Sequence, residues 1–473
     1  MRHKGILSTL GISPARRAAL FGRREDGSML VFGLIVFVLI LLVAGLAVDF
    51  MRYENNRMRV QATADRAVLA AATLREVGDR EAIVRDYFQA AGLLDYLDSV
   101  EVVDALNASS VTVNANVGVN TLFMRWVGTD QLVTREVSTA REEITNIEIA
   151  MVLDISGSMR WTDSIGIPRI TRLRSAALEF VDRVINEDTP GTTTISIVPY
   201  AGTVNPGQEV FELLGGQAWH DYSHCPDLPR STFDNTDLPN VQFMPQAPHF
   251  MHWAMSWETM DWGWCPNESN SILYHSGDVD ELQTYLTEMR LHDGTGTHYG
   301  MRWGISLLDP TSRWLTQALA DSGTVAQEHA DRPADWDDPE TMKVIVLMTD
   351  GIITDQFRPR RAGSSIFGRD GVYPTEEEQE TLNTTHILSL DSDQRERITT
   401  RNQNVDDFFR ACDMAKDNGV ILYTIAFETN TQGQDEMRDC ASSPSHYFSA
   451  IGMDLDSAFR AIAASIQSLR LTL

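Results

Sequence analysis

Twenty consecutive uncharged residues, "MLVFGLIVFVLILLVAGLAV" at 29–48, constrain this chain more than any other feature. At 1.5 Å per residue a helix of that length reaches roughly 30 Å, the thickness of a bilayer's hydrocarbon core. The competing reading is a cleaved signal peptide, with Gly45-Leu46-Ala47 as a small-x-small cleavage site. The run exceeds the roughly 7–15-residue core of such peptides, and a helical pattern continues past it to about Arg75, so an uncleaved signal anchor is expected. Arg16, Arg17, Arg23 and Arg24 on one side are matched by Arg52, Arg57, Arg59 and Arg66 on the other, which ties the local positive-inside count. A short tail obeys that rule, whereas a long domain translocates largely regardless of its charge. The expected arrangement is a cytoplasmic basic tail at 1–28, a single span at 29–48, and the remaining chain outside the cytoplasm.

The 39 basic and 66 acidic residues give a formal charge of −27, which repels phosphate backbones and excludes nucleic acid as a natural partner. A hydrophobic content of 43% is ample for a full globular core. Cys225, Cys265, Cys412 and Cys440 form an even set that an oxidising compartment could pair. Sequence order suggests Cys225–Cys265 and Cys412–Cys440, among three possible pairings, with free buried thiols as the alternative.

Residues 49–145 read as a helical stalk, continuing through about 78, and then a small α+β module. The alternation in "SSVTVNANVGVNTLFM", within Ser99 to Glu143, predicts two or three short strands there. From 146 to 473 the pattern becomes apolar runs separated by helical stretches: "IEIAMVLD", "TTISIVPY", "KVIVLMTD", "VILYTIAF" and "HYFSA", with helices near 171–187, 278–290, 404–418 and 455–469 and another through "THYGMRWGISLL". Near-continuous apolar strands alternating with helices imply a doubly wound α/β domain around a mostly parallel sheet. Stretches 205–277, 311–340 and 355–403 break the alternation and read as insertions.

In such sheets ligands sit beyond the carboxyl ends of the strands, where the strand order reverses. "AMVLDISGSM" brings Asp154 to one such end, with the hydroxyls of Ser156 and Ser158 in the turn, and "KVIVLMTDG" brings Asp350 to another. Two carboxylates that repel each other, beside hydroxyl oxygens, suit a hard divalent cation such as magnesium, with calcium or manganese as alternatives. An Asp-Ser turn that merely caps the next helix is the blander reading. The arrangement resembles the metal-ion-dependent adhesion site (MIDAS) of von Willebrand factor type A (VWA) domains, whose pattern is D-x-S-x-S with a separate Thr and a separate Asp. Asp154, Ser156 and Ser158 match the first part and Asp350 the last. For the Thr, "DGTGTHYGM" is the matching loop, with Thr295 as the better fit and Thr297 as the alternative. The resemblance implies a Rossmann-like fold, direct metal binding by the hydroxyls, and a coordination position left for an acidic residue of a partner.

The basic tail, the approach "RREDGSM", the helix ending "AGLAVDFMRYENNRMRVQATADRAVLAAA" and the C-terminal domain together resemble TadG-type proteins of the bacterial Tad (Flp) pilus assembly system. The phrases "VPYAGTVNPG", "GMRWGISLLDP", "CDMAKDNGVILYTIAF" and "SLRLTL" are similar to that group as well. That implies an inner-membrane protein with a periplasmic domain, and partners among pilus assembly components or surface ligands offering Asp or Glu. Pilins of such systems carry Glu five residues after the processed Gly; counting from Gly27, this chain has Phe32, so the helix is expected to stay in the membrane.

Five of the ten Trp residues, Trp219, Trp253, Trp257, Trp262 and Trp264, fall in the first insertion and read as its own small core rather than as an aromatic binding face. His220 and His224, at i,i+4 beside Cys225, have ligand-like spacing for a second metal, which an oxidising compartment disfavours. P-loop, nucleophile-elbow and H-E-x-x-H motifs are missing, so a non-enzymatic assembly or adhesion factor is expected. The rivals are an accessory subunit of a metal-chelatase or ATPase-type complex, and a structural pilus subunit.

Overall fold

One helix, Ser28–Ala72, carries the apolar run and continues beyond it without interruption, because residues 49–72 contain neither Pro nor Gly. The computed structural model describes residues 28–72, 79–104, 108–143, 146–185, 191–253, 260–369, 371–452 and 454–470. The basic tail and the end of the expected stalk, 73–78, lie outside them. The chain divides into two compact units, residues 1–143 and 144–473.

In the first unit a second helix, Arg80–Ala90, is capped by Asp79, whose side chain accepts the Glu81 and Ala82 amides. Three antiparallel strands follow: β1 (Leu97–Asp104), β2 (Ala108–Asn120) and β3 (Gln131–Glu143). β2 and β3 run to 13 residues each, longer than the short strands expected. Val111, Val113, Ala115 and Val117 alternate inward along β2 and pack against Val60, Ala64, Ala67, Val68 and Ala71, one stripe of the long helix. Residues 29–43 of that helix stay largely uncovered. The helix is long and apolar enough to cross a membrane.

The second unit is built on a six-stranded sheet of β4 (Asn146–Asp154), β5 (Thr193–Tyr200), β6 (Leu273–Ser276), β7 (Thr341–Thr349), β10 (Ile421–Phe427) and β11 (Tyr447–Ala450). Its order is β11-β10-β7-β4-β5-β6, parallel throughout except for the edge strand β6. This is the doubly wound α/β topology. β6 occupies the end of the 205–277 stretch, so that stretch is not wholly outside the sheet. β8 (Gln356–Pro359) and β9 (Arg395–Thr399) pair separately within the third insertion.

Alternation along β4 explains the layers. Ile147, Ile149, Met151 and Leu153 enter one core with the helices Arg169–Val184, Val279–Glu288 and Asp454–Arg470, where Phe180 meets Phe459 edge-on. Ala150 and Val152 enter the other, with the helices Thr297–Ser306 and Arg401–Asp417 and the first insertion. Buried Arg358 and partly exposed Arg369 both pair with Asp227, tying the third insertion to the first. Disulfides join Cys225 to Cys265 and Cys412 to Cys440, the pairing suggested by sequence order.

Candidate functional site

β4 and β7 lie side by side at the middle of the sheet, with Leu153 opposite Met348, so Asp154, Thr349 and Asp350 arrive at the same level. β4 is followed by β5 on one side and β7 by β10 on the other, which makes this the point of strand-order reversal.

Four of the sequence-predicted residues are joined there by hydrogen bonds. Asp154 is fully buried; its Oδ1 accepts the Ser156 amide at 2.8 Å and its Oδ2 accepts the Thr349 hydroxyl at 2.7 Å. The Ser156 and Ser158 hydroxyls are 2.9 Å apart, and Ser158 donates to Asp350 Oδ1 at 2.6 Å. Arg169 donates to the other oxygen, Oδ2, at 2.8 Å. Thr295 is the fifth: a Cβ built on Gly351 would stand 3.7 Å from both the Ser158 Oγ and the Thr295 Oγ1. Thr297 opens the following helix and is buried beside Tyr200, one step behind the cluster.

The Thr295 loop is held by backbone pairing. The His292 amide donates to Ile155 at 2.9 Å, Gly202 to Asp293 at 2.8 Å, and Gly296 to Ala201 at 2.7 Å. Contact this close explains the glycines of "DGTGT": a Cβ on Gly296 would stand 2.2 Å from the Gly202 carbonyl oxygen.

Burial pushes the Asp154 carboxyl above the usual carboxylate range, against the hydrogen bonds that favour its charged form. Asp350 is pushed up to about 7 by burial and by the charge of Asp154, which Arg169 only partly offsets. Two crowded carboxylates, two serine hydroxyls and a threonine are donors of the hard-oxygen kind that suits magnesium, and the shortage of positive charge among them fits a cation. Among the described residues no group of three or more His, Cys, Asp or Glu side chains is placed to hold a metal ion. The rings of His220 and His224 are engaged by the Ala247 carbonyl and by Glu268, so their i,i+4 spacing serves the packing of the insertion.

Sequence reasoning missed Thr349, Arg169 and the surroundings. A cleft of about 580 Å³ is lined by Ser158 and Thr295 together with Arg160, Trp161, Trp253 and Leu388. The Arg160 guanidinium stacks 4.1 Å from the centre of the Trp161 ring. Trp264 is core, as expected of the insertion, whereas Trp253 is half exposed at the cleft; Trp257 lies outside the described residues.

No curated protein matches the chain. Similar solved structures include the pilus adhesin SpaC from Lactobacillus rhamnosus GG, at 13% identity and a TM-score of 0.35, covering 78% of this chain and 34% of that one. The vWF domain of the type V pili tip protein Mfa5 from Porphyromonas gingivalis is 14% identical, with a TM-score of 0.35 and coverage of 69% and 97%. The pilus adhesin RrgA from Streptococcus pneumoniae is 10% identical, with a TM-score of 0.32 and coverage of 79% and 50%. The chain thus spans about a third of SpaC and half of RrgA. These likenesses are distant, and the fold class rests on the strand order itself. Residues 27–74, a segment that includes the apolar run, match the family of putative Flp pilus-assembly TadE/G-like proteins.

Proposed function

We propose that this chain is a membrane-anchored, non-enzymatic factor of Tad/Flp pilus assembly or adhesion, whose second unit grips a carboxylate of a protein partner. Asp154, Ser156, Ser158, Thr295 and Asp350 would hold a divalent cation, magnesium first and calcium or manganese as alternatives. The observation that carries this reading is the electrostatic deficit at the central strand ends, where two buried carboxyls share one arginine. A bound magnesium supplies the missing positive charge and, with hydroxyl ligands that are neutral, keeps enough of it to attract an incoming Asp or Glu.

The chain's own residues prepare that encounter. Thr349 and the Ser156 amide fix the orientation of Asp154, and Arg169 fixes Asp350. Trp161, Trp253 and Leu388 offer apolar surface to the residues flanking the partner's carboxylate. Two disulfides suit an oxidising compartment, which supports a periplasmic or surface-exposed second unit beyond a single inner-membrane span. The TadE/G-like match of residues 27–74 supports the pilus assembly context.

Calorimetric titration of the full chain in detergent micelles with magnesium chloride tests the site. The wild type is expected to bind one ion per chain, and Asp154→Ala is expected to lose that binding while keeping its circular dichroism spectrum. Unchanged magnesium affinity in a folded Asp154→Ala protein would overturn the assignment.

A further inference from the structure

The first unit carries an exposed apolar turn whose position is set by the membrane helix itself. Asp49, the first charge after the apolar run, turns its carboxylate to three consecutive amides: Leu122 at 2.9 Å, Phe123 at 2.7 Å and Met124 at 2.8 Å. Four residues earlier the helix has Gly45, and the Phe123 ring lies on it so closely that a Cβ there would stand 2.5 Å away. These two contacts clamp the "LFMRWV" turn, 122–127, beside the last helical turn of the apolar run. Yet Leu122 is 52% exposed, Trp126 80% and Val127 55%.

A soluble module has no reason to hold a tryptophan, a leucine and a valine out into water beside a bare apolar helix. At 1.5 Å per residue, Gly45 lies about 6 Å inside the level of Asp49, so the turn covers the depth where acyl chains give way to headgroups. Its composition matches that depth, with Trp126 and Phe123 as interfacial aromatics and exposed Arg125 placed for lipid phosphate.

We infer that residues 122–127 form a second membrane contact, a phospholipid-interface anchor in which Leu122, Trp126 and Val127 enter the headgroup boundary while Asp49 and Gly45 fix the depth of the turn. The anchor rests on the reading of 29–48 as a bilayer span. It adds a point of attachment away from the helix axis, so the module is held against rotation and tilt as well as against loss from the membrane.

All four native cysteines are in disulfides, so one engineered thiol is uniquely labelled. The full chain is reconstituted in phosphatidylethanolamine/phosphatidylglycerol vesicles with an environment-sensitive fluorophore on Val127→Cys or, separately, on Ile40→Cys. Spin-labelled lipids then quench at either the headgroup end or the methyl end of the acyl chain. The anchor predicts that Val127→Cys loses most of its emission to the shallow quencher and little to the deep one, while Ile40→Cys shows the reverse preference. Adding Asp49→Asn should abolish the Val127 quenching and leave that at Ile40 unchanged. Quenching at Ile40 with none at Val127, as for a turn that docks on protein, would overturn the anchor and leave the span standing. Quenching at neither would overturn both, and Val127 quenching that survives Asp49→Asn would overturn the clamp as its cause.

Discussion

Strand β4 buries a carboxylate near each of its ends, and the two have opposite surroundings. Glu148, the third residue, faces Lys343 directly across the β7 ladder at 2.8 Å and is also paired with Arg332 at 3.2 Å. Burial alone would raise its pKa, but the two cations outweigh that and hold it below the usual carboxylate range. Asp154, six residues on, has hydroxyl and amide donors but no cation of its own, and its carboxyl is pushed the other way. The same strand, at the same depth of burial, thus holds one charge that is matched and one that is not. Matched charge ties β4 to β7 across the ladder, whereas the unmatched charge is what the proposed cation would neutralise.

The comparison can be broken most forcefully at its matched end. Lys343→Ala leaves Glu148 with a single cationic partner, Arg332, and urea unfolding should report a loss of about 3–5 kcal/mol, the same with or without magnesium. A loss that magnesium repairs would mean that the two ends are not independent. At the unmatched end, Arg169→Gln removes the one cation on Asp350. Stability without metal should fall by about 2 kcal/mol, and the increase in melting temperature on adding magnesium should become larger than in the wild type.

The smallest effect is in pH. Asp350 has a folded-state value raised to about 7 from 3.8, so its contribution is fully present below 3.8 and is lost as pH rises through 7. Glu148 has the opposite sign, giving stability above its unfolded value that is lost as pH falls. Metal-free protein should therefore lose about 1 kcal/mol between pH 6 and 8 in chemical denaturation, and Asp350→Asn should flatten that slope. An unchanged slope in the variant would assign the titration elsewhere.

Much of the second unit was legible because strands buried on both faces must be apolar at every position, and "IAMVL" and "VIVLM" are. Asp154 and Asp350 were readable because each follows such an apolar run, and Ser156 and Ser158 through the resemblance of D-I-S-G-S to the adhesion-site pattern. β6 escaped because a four-residue edge strand within a Trp- and His-rich stretch has no periodicity to detect. Arg169 left a signal that went unread: an arginine in the first turn of a helix opposes the helix dipole, and no acidic residue accompanies it there. Leu388 and Trp253 left none, since they reach the cleft from two insertions that only the folded chain brings together.

The backbone bonds around Thr295 have a mechanical meaning. Its loop is fastened to the chain leaving β4 through His292 and to the chain leaving β5 through Gly296 and Gly202, so under the proposed function a tug on a partner at Thr295 would be divided between two neighbouring strands. Traction along those strands would load whole ladders of hydrogen bonds together instead of peeling them singly.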